Sequence, residues 1–557
     1  MLASKRLRSL LRGVASVRLS AGAHAALSTS CKACRAVDQT SWQQEAPMQH
    51  FGVMEFVEPH TPKSVRRTPW VQKPSEVDIL SWPIHEPKHL SRRIMIARTN
   101  AMAAMLDPAA APAAMDTFLR YLGYWSEKHQ DKFNPIASSL ALLSLARLAT
   151  RPEVPASHQK KVLSAAAVML KHFMSRATRA DQHSTANVFW ACARLRLRPD
   201  DLQPGFEDKL AQCFIATAHD ATPQGISNVL WSCSTLRINP LNGGLLATIV
   251  ALLKTWQSDS FNGASNMQSL AVVMTAFATM RLHIDASVAE LLLKRFYEGT
   301  LQGADEPQGL SNLLWACASL GFCPPPHMTR QFMHSYRTSR QPYMVQHETI
   351  ILYSLAVFGA LTTEYFKVTL QKLHGQQLDP PSLSQLYIAL QALRPLDSES
   401  PAHKDWLQTA HSVQQQWPLA TDPAGKQSPF ELKIYFTLLN MGYEAITTYD
   451  SDDGLHFIDI ALLPQKKLPC KIAIEADGIS HFLYEDYRLQ NAPHPATRQD
   501  GRTLFRNSVL RKQGWVVVTV PWYDWHGLMT QVEKVQYLKR MLKQVVKEYW
   551  QASKSAV

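Results

Sequence analysis

"PQGISNVLWSCSTLRI" (223–238) and "PQGLSNLLWACASLGF" (307–322) share seven of their first nine residues, and Trp231 and Trp315 stand 84 residues apart. Two equal periods fit that gap, and "SLAVVMTAFATMRL" (269–282) supplies the intervening copy, with Thr275 in the tryptophan register. Upstream, "STANVFWACARLRL" (184–197) contributes Trp190 and the weaker "SSLALLSLARLAT" (138–150) contributes Leu143. Downstream, "ETIILYSLAVFG" (348–359) and "SLSQLYIALQALR" (382–394) continue with Tyr353 and Ile388. The seven register positions are 47, 41, 44, 40, 38 and 35 residues apart. Each unit opens at a Pro- or Ser-containing turn, enters an amphipathic helix and ends in a second apolar segment such as "LNGGLLATIVALLKTW" or "ASVAELLLKRFYEG". Two helices in about 40 residues cannot bury their apolar faces alone, so neighbours must stack. The fold class predicted is mainly α: an α-solenoid of about seven helix-pair repeats over residues 130–395, followed by a small α/β domain.

Three positions recur around the register. Cys192, Cys233 and Cys317 follow it by two residues and fit small apolar thiols packed between helices better than a metal chain. Asn187, Asn228 and Asn312 precede it by three and suit backbone bonding between units. Six residues after it stand Arg196, Arg237, Arg281, Gly321, Gly359 and Arg394. Glycine there marks a helix end, so arginine there either complements the helix C-terminal dipole or, aligned by stacking, forms a rail for phosphates.

The composition of the 557-residue chain, 46% hydrophobic and 18% charged, excludes whole-chain disorder. The longest apolar stretches fall short of the roughly 18–20 residues that span a bilayer, which argues against a multipass membrane protein. Eight cysteines in so long a chain are no disulfide framework. The net charge of +13 points to a polyanionic partner. Part of that excess sits in residues 1–37, which hold Lys5, Arg6, Arg8, Arg12, Arg18, Lys32 and Arg35 and no acid. Such an arginine-, serine- and alanine-rich start reads as an organelle import peptide over 1–40, with a basic nucleic-acid arm as the alternative. Its removal leaves a chain that is still basic. The Cys31–Cys34 pair has no partner pair of similar spacing. Residues 41–129 are expected to form a partly helical extension.

Residues 396–429 are polar and broken by Pro and Gly, as expected of a linker. Beyond them the period changes. "FELKIYFTLLNMGY" predicts a helix, "HFIDIALLP" and "KIAIEADG" strands, "TLFRNSVLRKQGW" a helix stopped by glycine, and "VVVTVPW" a buried strand. "QVEKVQYLKRMLKQVVKEYW" closes the 430–550 domain with a basic helix.

The "PQGLSNLLWACASLG" core resembles the octotricopeptide repeat, whose proteins act as RNA-binding solenoids in green-algal and related organelles. "IAIEADGISHF" followed by "TLFRNSVLRKQGWVVVTVPWYDW" resembles the RAP domain found at the C-terminus of many organellar RNA proteins, with Asp524-Trp525 in the place of the usual acid–tryptophan pair. RAP domains are in turn similar to the restriction-endonuclease-like fold. That likeness implies a metal-dependent nuclease as an alternative: Asp459, Glu475 and Asp477 would hold Mg²⁺ at a shared strand edge, with His481 as proton shuttle. Nucleases of that fold carry a Lys two residues after the Glu, where this chain has Asp477. The plain alternative is that Asp477-Gly478 forms a turn and Glu475 ties strands together.

No Gly-rich phosphate loop, Gly-x-Ser-x-Gly elbow or paired zinc motif is present in the sequence. Arg498, Arg502, Arg506, Arg511 and Lys512 with Trp522, Tyr523 and Trp525 make a basic and aromatic set suited to single-stranded RNA, although Trp515 and Trp522 also suit a core. The resemblance therefore implies an organellar RNA-binding protein acting in RNA processing, stability or translation, and the register row offers Arg196, Arg237, Arg281 and Arg394 as its phosphate contacts. Its partners would be single-stranded messenger or ribosomal RNA, within a ribonucleoprotein or ribosome. A protein-binding scaffold is the non-RNA alternative. No cofactor is expected beyond Mg²⁺ in the nuclease case. The arginine-rich start favours the mitochondrial matrix, with the chloroplast stroma as alternative.

Overall fold

The computed structural model describes residues 79–555 apart from 81, 241, 256–263, 305, 396–398, 419–426, 452–456, 467 and 485–496. The import peptide, the Cys31–Cys34 pair and the 41–78 part of the extension lie outside the described residues. Helices come in pairs: Pro87–Ala104 (α1) with Ala111–Lys128 (α2), Pro135–Ala149 (α3) with Gln159–Ser175 (α4), Gln182–Arg194 (α5) with Phe206–Ala216 (α6), and Pro223–Leu236 (α7) with Leu245–Thr255 (α8). Ala264–Met280 (α9) with Ala286–Leu301 (α10), Pro307–Leu320 (α11) with Pro326–Thr338 (α12), Val345–Val357 (α13) with Thr363–Leu373 (α14), and Pro380–Ala392 (α15) with Pro401–Gln416 (α16) follow. All seven register positions fall on the first helix of a pair, α3 to α15.

The described residues form two compact units, one holding 79–316 and Pro324–Pro342, the other Cys317–Cys323 and the chain from Tyr343 onward. In the first, α1, α3, α5, α7 and α9 pack successively side by side, and α2, α4, α6, α8, α10 and α12 form a second row. In the second, α13 packs on α15, with Phe366 of α14 and Val413 of α16 in the shared core.

Local chemistry explains where these helices start. Asn134, Asp181, Thr222 and Asp379 accept the backbone N–H groups of Ala137, Ser184, Gly225 and Ser382 at 2.8, 2.7, 3.1 and 3.0 Å, capping α3, α5, α7 and α15. Proline at the first turn of α3, α7 and α15 costs no hydrogen bond there. The packing depends on small residues beside the register. Ser144, Ser232 and Ser354 are fully buried, each hydroxyl folding back on the carbonyl four residues earlier (2.7, 2.6 and 2.8 Å), so a polar side chain sits in the seam already satisfied. Cys192, Cys233 and Cys317 are buried as packing residues, and burial pushes the Cys192 and Cys233 thiols up to about 12. Asn187, Asn228 and Asn312 are buried as well; it is the Asn312 carbonyl that accepts Thr275 Oγ1 of the preceding register helix, at 3.5 Å.

Two boundaries differ from expectation. Residues 396–429, expected as a linker, contain α16, capped by Ser400 and burying Ala410, Val413 and Trp417 against Leu386 and Leu390. Its buried stripe is narrow and its other faces are polar, so composition reads as linker while geometry completes the last pair. At the other end, α1 and α2 pair ahead of residue 130, and α1 packs on α3.

The C-terminal domain opens with Pro429–Asn440 (α17) and a sheet of Ile446–Asp450 (β1), Phe457–Leu462 (β2) and Ile472–Asp477 (β3). Phe482–Tyr484 (β4) pairs with Thr497–Gln499 (β5); Gly501–Lys512 (α18), Val516–Pro521 (β6) and Gln531–Ser555 (α19) follow. The sheet order is β1-β2-β3-β6, antiparallel except for the parallel β3–β6 pair that α18 connects. Ile434 and Leu438 of α17 and Leu538 and Leu542 of α19 cover one face; Leu510 of α18 and Trp515 lie with Ile458 and Ala473 on the other. The predicted helices and strands are all present. The strands that sequence missed, β1, β4 and β5, are short, and β1 is half exposed and polar, which hides its period.

The buried thiols make a direct prediction. With native protein at mildly alkaline pH, a thiol reagent read by peptide mapping should label exposed Cys323 and spare Cys192, Cys233 and Cys317 until denaturant is added. Labelling of all four at one rate would mean that the register helices do not pack.

Candidate functional site

The residue six beyond the register closes each helix. Arg196, Arg237 and Arg281 have φ of 52°, 55° and 53°, and Gly321 and Gly359 both have 69°, all left-handed. The next N–H in each case returns to a carbonyl five residues earlier: Leu197 to Cys192 (2.9 Å), Ile238 to Cys233 (3.0 Å), Leu282 to Phe277 (3.0 Å), Phe322 to Cys317 (2.9 Å) and Ala360 to Leu355 (2.9 Å). This is the Schellman ending, in which glycine is the residue of least strain. A side chain there costs roughly 1–2 kcal/mol. The row is thus a helix terminus, as the capping alternative expects, but three of its five left-handed members carry the costlier residue. Arg196 and Arg237 are exposed and Arg281 is half-buried. Their helices α5, α7 and α9 are successive neighbours, so their C-terminal turns follow one another at the spacing of packed helices, about 8–10 Å. Arg394 departs from the row: it is not left-handed, and its guanidinium lies 5.6 Å from the Trp406 ring centroid.

The acidic cluster is brought together, but around a cation of the chain's own. Arg506 of α18 reaches Glu475 Oε2 at 3.3 Å and Asp477 Oδ1 at 2.8 Å, with both carboxylates fully buried. Gln499 Nε2 donates to the other Asp477 oxygen at 2.7 Å and to Thr519 Oγ1 at 3.1 Å. Asp459 Oδ2 accepts the Ala476 N–H at 2.9 Å, a strand tie. Burial alone would lower the Arg506 pKa, but Glu475, Asp477 and Asp459 outweigh it and hold the guanidinium protonated. His481 Nδ1 lies 3.1 Å from Thr503 Oγ1 and 3.4 Å from Asp477 Oδ1. Burial lowers its pKa despite that carboxylate, so the imidazole is neutral at neutral pH. Among the described residues no group of three His, Cys, Asp or Glu is placed to hold a metal ion. The donor set does not fit Mg²⁺, because a guanidinium already sits against Glu475 Oε2 and Asp477 Oδ1, where the ion would have to lie.

The basic and aromatic set divides. Trp525, expected as a stacking surface, is 2% exposed and packs in the core, with ring centroids 6.4 Å from Phe430 and Tyr537. Arg506 belongs to the buried network rather than to the surface. Trp515 is core, with Lys471 Nζ 4.9 Å from its ring centroid, and Trp522 and Tyr523 are half-buried. Arg502 is half-buried, whereas Arg511 and Lys512 are exposed on the last turn of α18, where they complement its dipole. Arg498 is exposed and donates to the Gly321 carbonyl. The basic helix expected at the end of the domain is α19, whose Lys539, Lys543 and Lys547, all exposed, recur every four residues and so share one helix face.

Residues 474–541 match the RAP domain, so the chain carries that domain at the parallel β3–β6 pair and the helices around it. The chain is also similar to a "RAP domain-containing protein, chloroplastic" from Oryza sativa subsp. japonica, 26% identical over 336 residues, which cover 53% of this chain and 48% of the relative. It therefore spans about half the length of that curated relative.

Removing Arg506 strands two buried carboxylates. Arg506→Ala should cost about 3–5 kcal/mol in urea unfolding, while Arg511→Ala stays within about 0.5 kcal/mol; equal small effects would rule out the buried network. Because the folded state lowers the His481 pKa, the unfolded chain binds its proton more readily. That contribution is complete above about pH 6.5 and is lost as pH falls below it. His481→Gln should flatten this part of the stability curve, and an unchanged slope would show that the ring titrates alike in both states.

Proposed function

We propose that this chain is an organellar RNA-binding protein that takes up single-stranded RNA along the C-terminal turns of α5, α7 and α9. The observation that carries the reading is the arginine held three times in left-handed backbone, at a position where glycine is less strained and is used in two other repeats. Strain of this kind persists where the side chain itself is needed. Exposed guanidinium groups at Arg196 and Arg237, with half-buried Arg281 at the next helix end, suit phosphodiesters, which arginine can bind bidentately.

The RAP domain and the likeness to a chloroplastic RAP protein support the same reading and favour the chloroplast stroma over the mitochondrial matrix. The basic face of α19 offers further phosphate contacts. Function would follow from occupancy: a bound segment is shielded from exonucleases, kept unpaired for translation, or held within a ribonucleoprotein. Metal-dependent cleavage finds no support in the acidic cluster, where Glu475 and Asp477 pair with Arg506 and Asp459 ties strands.

The triple variant Arg196→Gly, Arg237→Gly, Arg281→Gly separates helix capping from RNA contact. Capping alone predicts a protein at least as stable that binds fluorescein-labelled oligo(U) unchanged. Phosphate contact predicts the same or greater stability, weaker binding, and a salt dependence reduced by about 2 in log–log slope, at roughly 0.7 per phosphate. Unchanged affinity and slope would overturn this reading, and recovery of partner proteins without RNA from organelle extract would replace it with a scaffold.

A further inference from the structure

Within the unit that holds Cys317–Cys323 and the C-terminal part of the chain, the RAP domain is seated on the end of α11. Arg498 Nη2 donates to the Gly321 carbonyl at 2.9 Å, and its guanidinium carbon lies 5.6 Å from the Phe322 ring centroid. Gly501, the first residue of α18, approaches so closely that a Cβ there would overlap the Ala318 carbonyl oxygen and come within 2.9 Å of the Gly321 nitrogen. A Cβ on Gly321 would in turn lie 3.2 Å from Arg498 Nη2 and 3.4 Å from Leu504 Cδ1. Two glycines thus permit backbone to meet backbone: the C-terminal turn of α11, with its outward carbonyls, faces the N-terminal turn of α18, with its outward N–H groups. The two helix dipoles meet with opposite ends together. Asp500, which caps α18 by accepting the Thr503 N–H at 2.8 Å, also adds to the rise that burial imposes on the Tyr353 phenol of α13.

Gly321 is also the first position at which the row of helix-ending arginines breaks off. The left-handed backbone favours glycine at both Gly321 and Gly359; at Gly321 a side chain would in addition press on the Arg498 guanidinium, whereas Gly359, the next member, has nothing within 4 Å of its missing Cβ. We propose that Arg498 is a phosphate-binding cation at this helix end, supplied by the RAP domain where the helix's own closing side chain is absent. This rests on the proposed function, since it assigns the ligand of Arg498 as the same RNA phosphodiester. One donor of the guanidinium holds the Gly321 carbonyl; the group presents five, so others can face a phosphate.

The test moves the charge from one residue to the other in the full-length chain. Arg498→Ala should weaken oligo(U) binding roughly three- to tenfold and lower the salt slope by about 0.7. Adding Gly321→Arg in that background, where the Arg498 side chain no longer competes for space, should restore both. Gly501→Val, which forces the junction apart while leaving Arg498 in place, serves as the docking control. Failure of Gly321→Arg to restore binding, with Gly501→Val reproducing the Arg498→Ala loss, would make Arg498 a docking residue only. No loss on Arg498→Ala, with loss in the Arg196, Arg237 and Arg281 glycine variant, would sink this inference and leave the proposed function standing. No loss in either would remove both.

Discussion

A helix pair of this length has too little surface to bury both of its apolar faces within itself, and everything else in the array follows from that shortage. Each register helix must present a broad apolar face to two neighbours, so the residues beside Trp190, Trp231 and Trp315 are alanine, serine and cysteine, small enough for helices to approach. Where one is serine, its hydroxyl bonds backward along its own helix, and the seam stays closed to water without an unsatisfied group. Caps at the start and left-handed turns at the end limit helix length, which stays between 13 and 17 residues in the register helices.

The left-handed closing residue links stability to binding. A Schellman ending leaves carbonyls outward and places the next side chain on the surface at a fixed angle. Glycine is the cheapest occupant, and the chain uses it at Gly321 and Gly359. Arginine at the equivalent place in α5, α7 and α9 adds strain but offers a guanidinium whose backbone anchor cannot drift. The same geometry explains how another domain can meet such a helix end when the closing residue is glycine, as the RAP domain does at Gly321.

The RAP domain turns an acidic cluster inward. Three carboxylates near one sheet edge would repel one another in a low-dielectric interior. Arg506 from the crossover helix pairs with Glu475 and Asp477 and is itself kept charged by all three acids. Such a network joins β2, β3 and α18 at the turn where β3 ends, and it makes Glu475 and Asp477 structural groups. What faces solvent instead is basic: Arg511, Lys512 and the lysine face of α19.

Much of this was legible without coordinates. Trp231 and Trp315 with their shared flanks settled the helix pairs, because burial between stacked neighbours repeats the same residues at the same spacing. The strands "IAIEADG" and "VVVTVPW" were equally plain, since a parallel pair covered on both faces is rich in apolar residues along its length. Helix α16 escaped because its buried stripe involves few residues, and β1 because its faces are nearly alike. The partners of charged groups were beyond reach. Arg506 and Arg511 are five residues apart in one helix, yet one is sealed among carboxylates and the other is in water. Trp525 looked like a stacking surface until the packing of α17 and α19 enclosed it. Periodicity along the chain is local and survives in sequence; which charge meets which, and which ring meets water, is set only when distant segments pack. Sequence by itself therefore determined the repeating helices and the C-terminal α/β domain, while tertiary structure decided that the acids belong to the core and that Gly321 lies beneath Arg498.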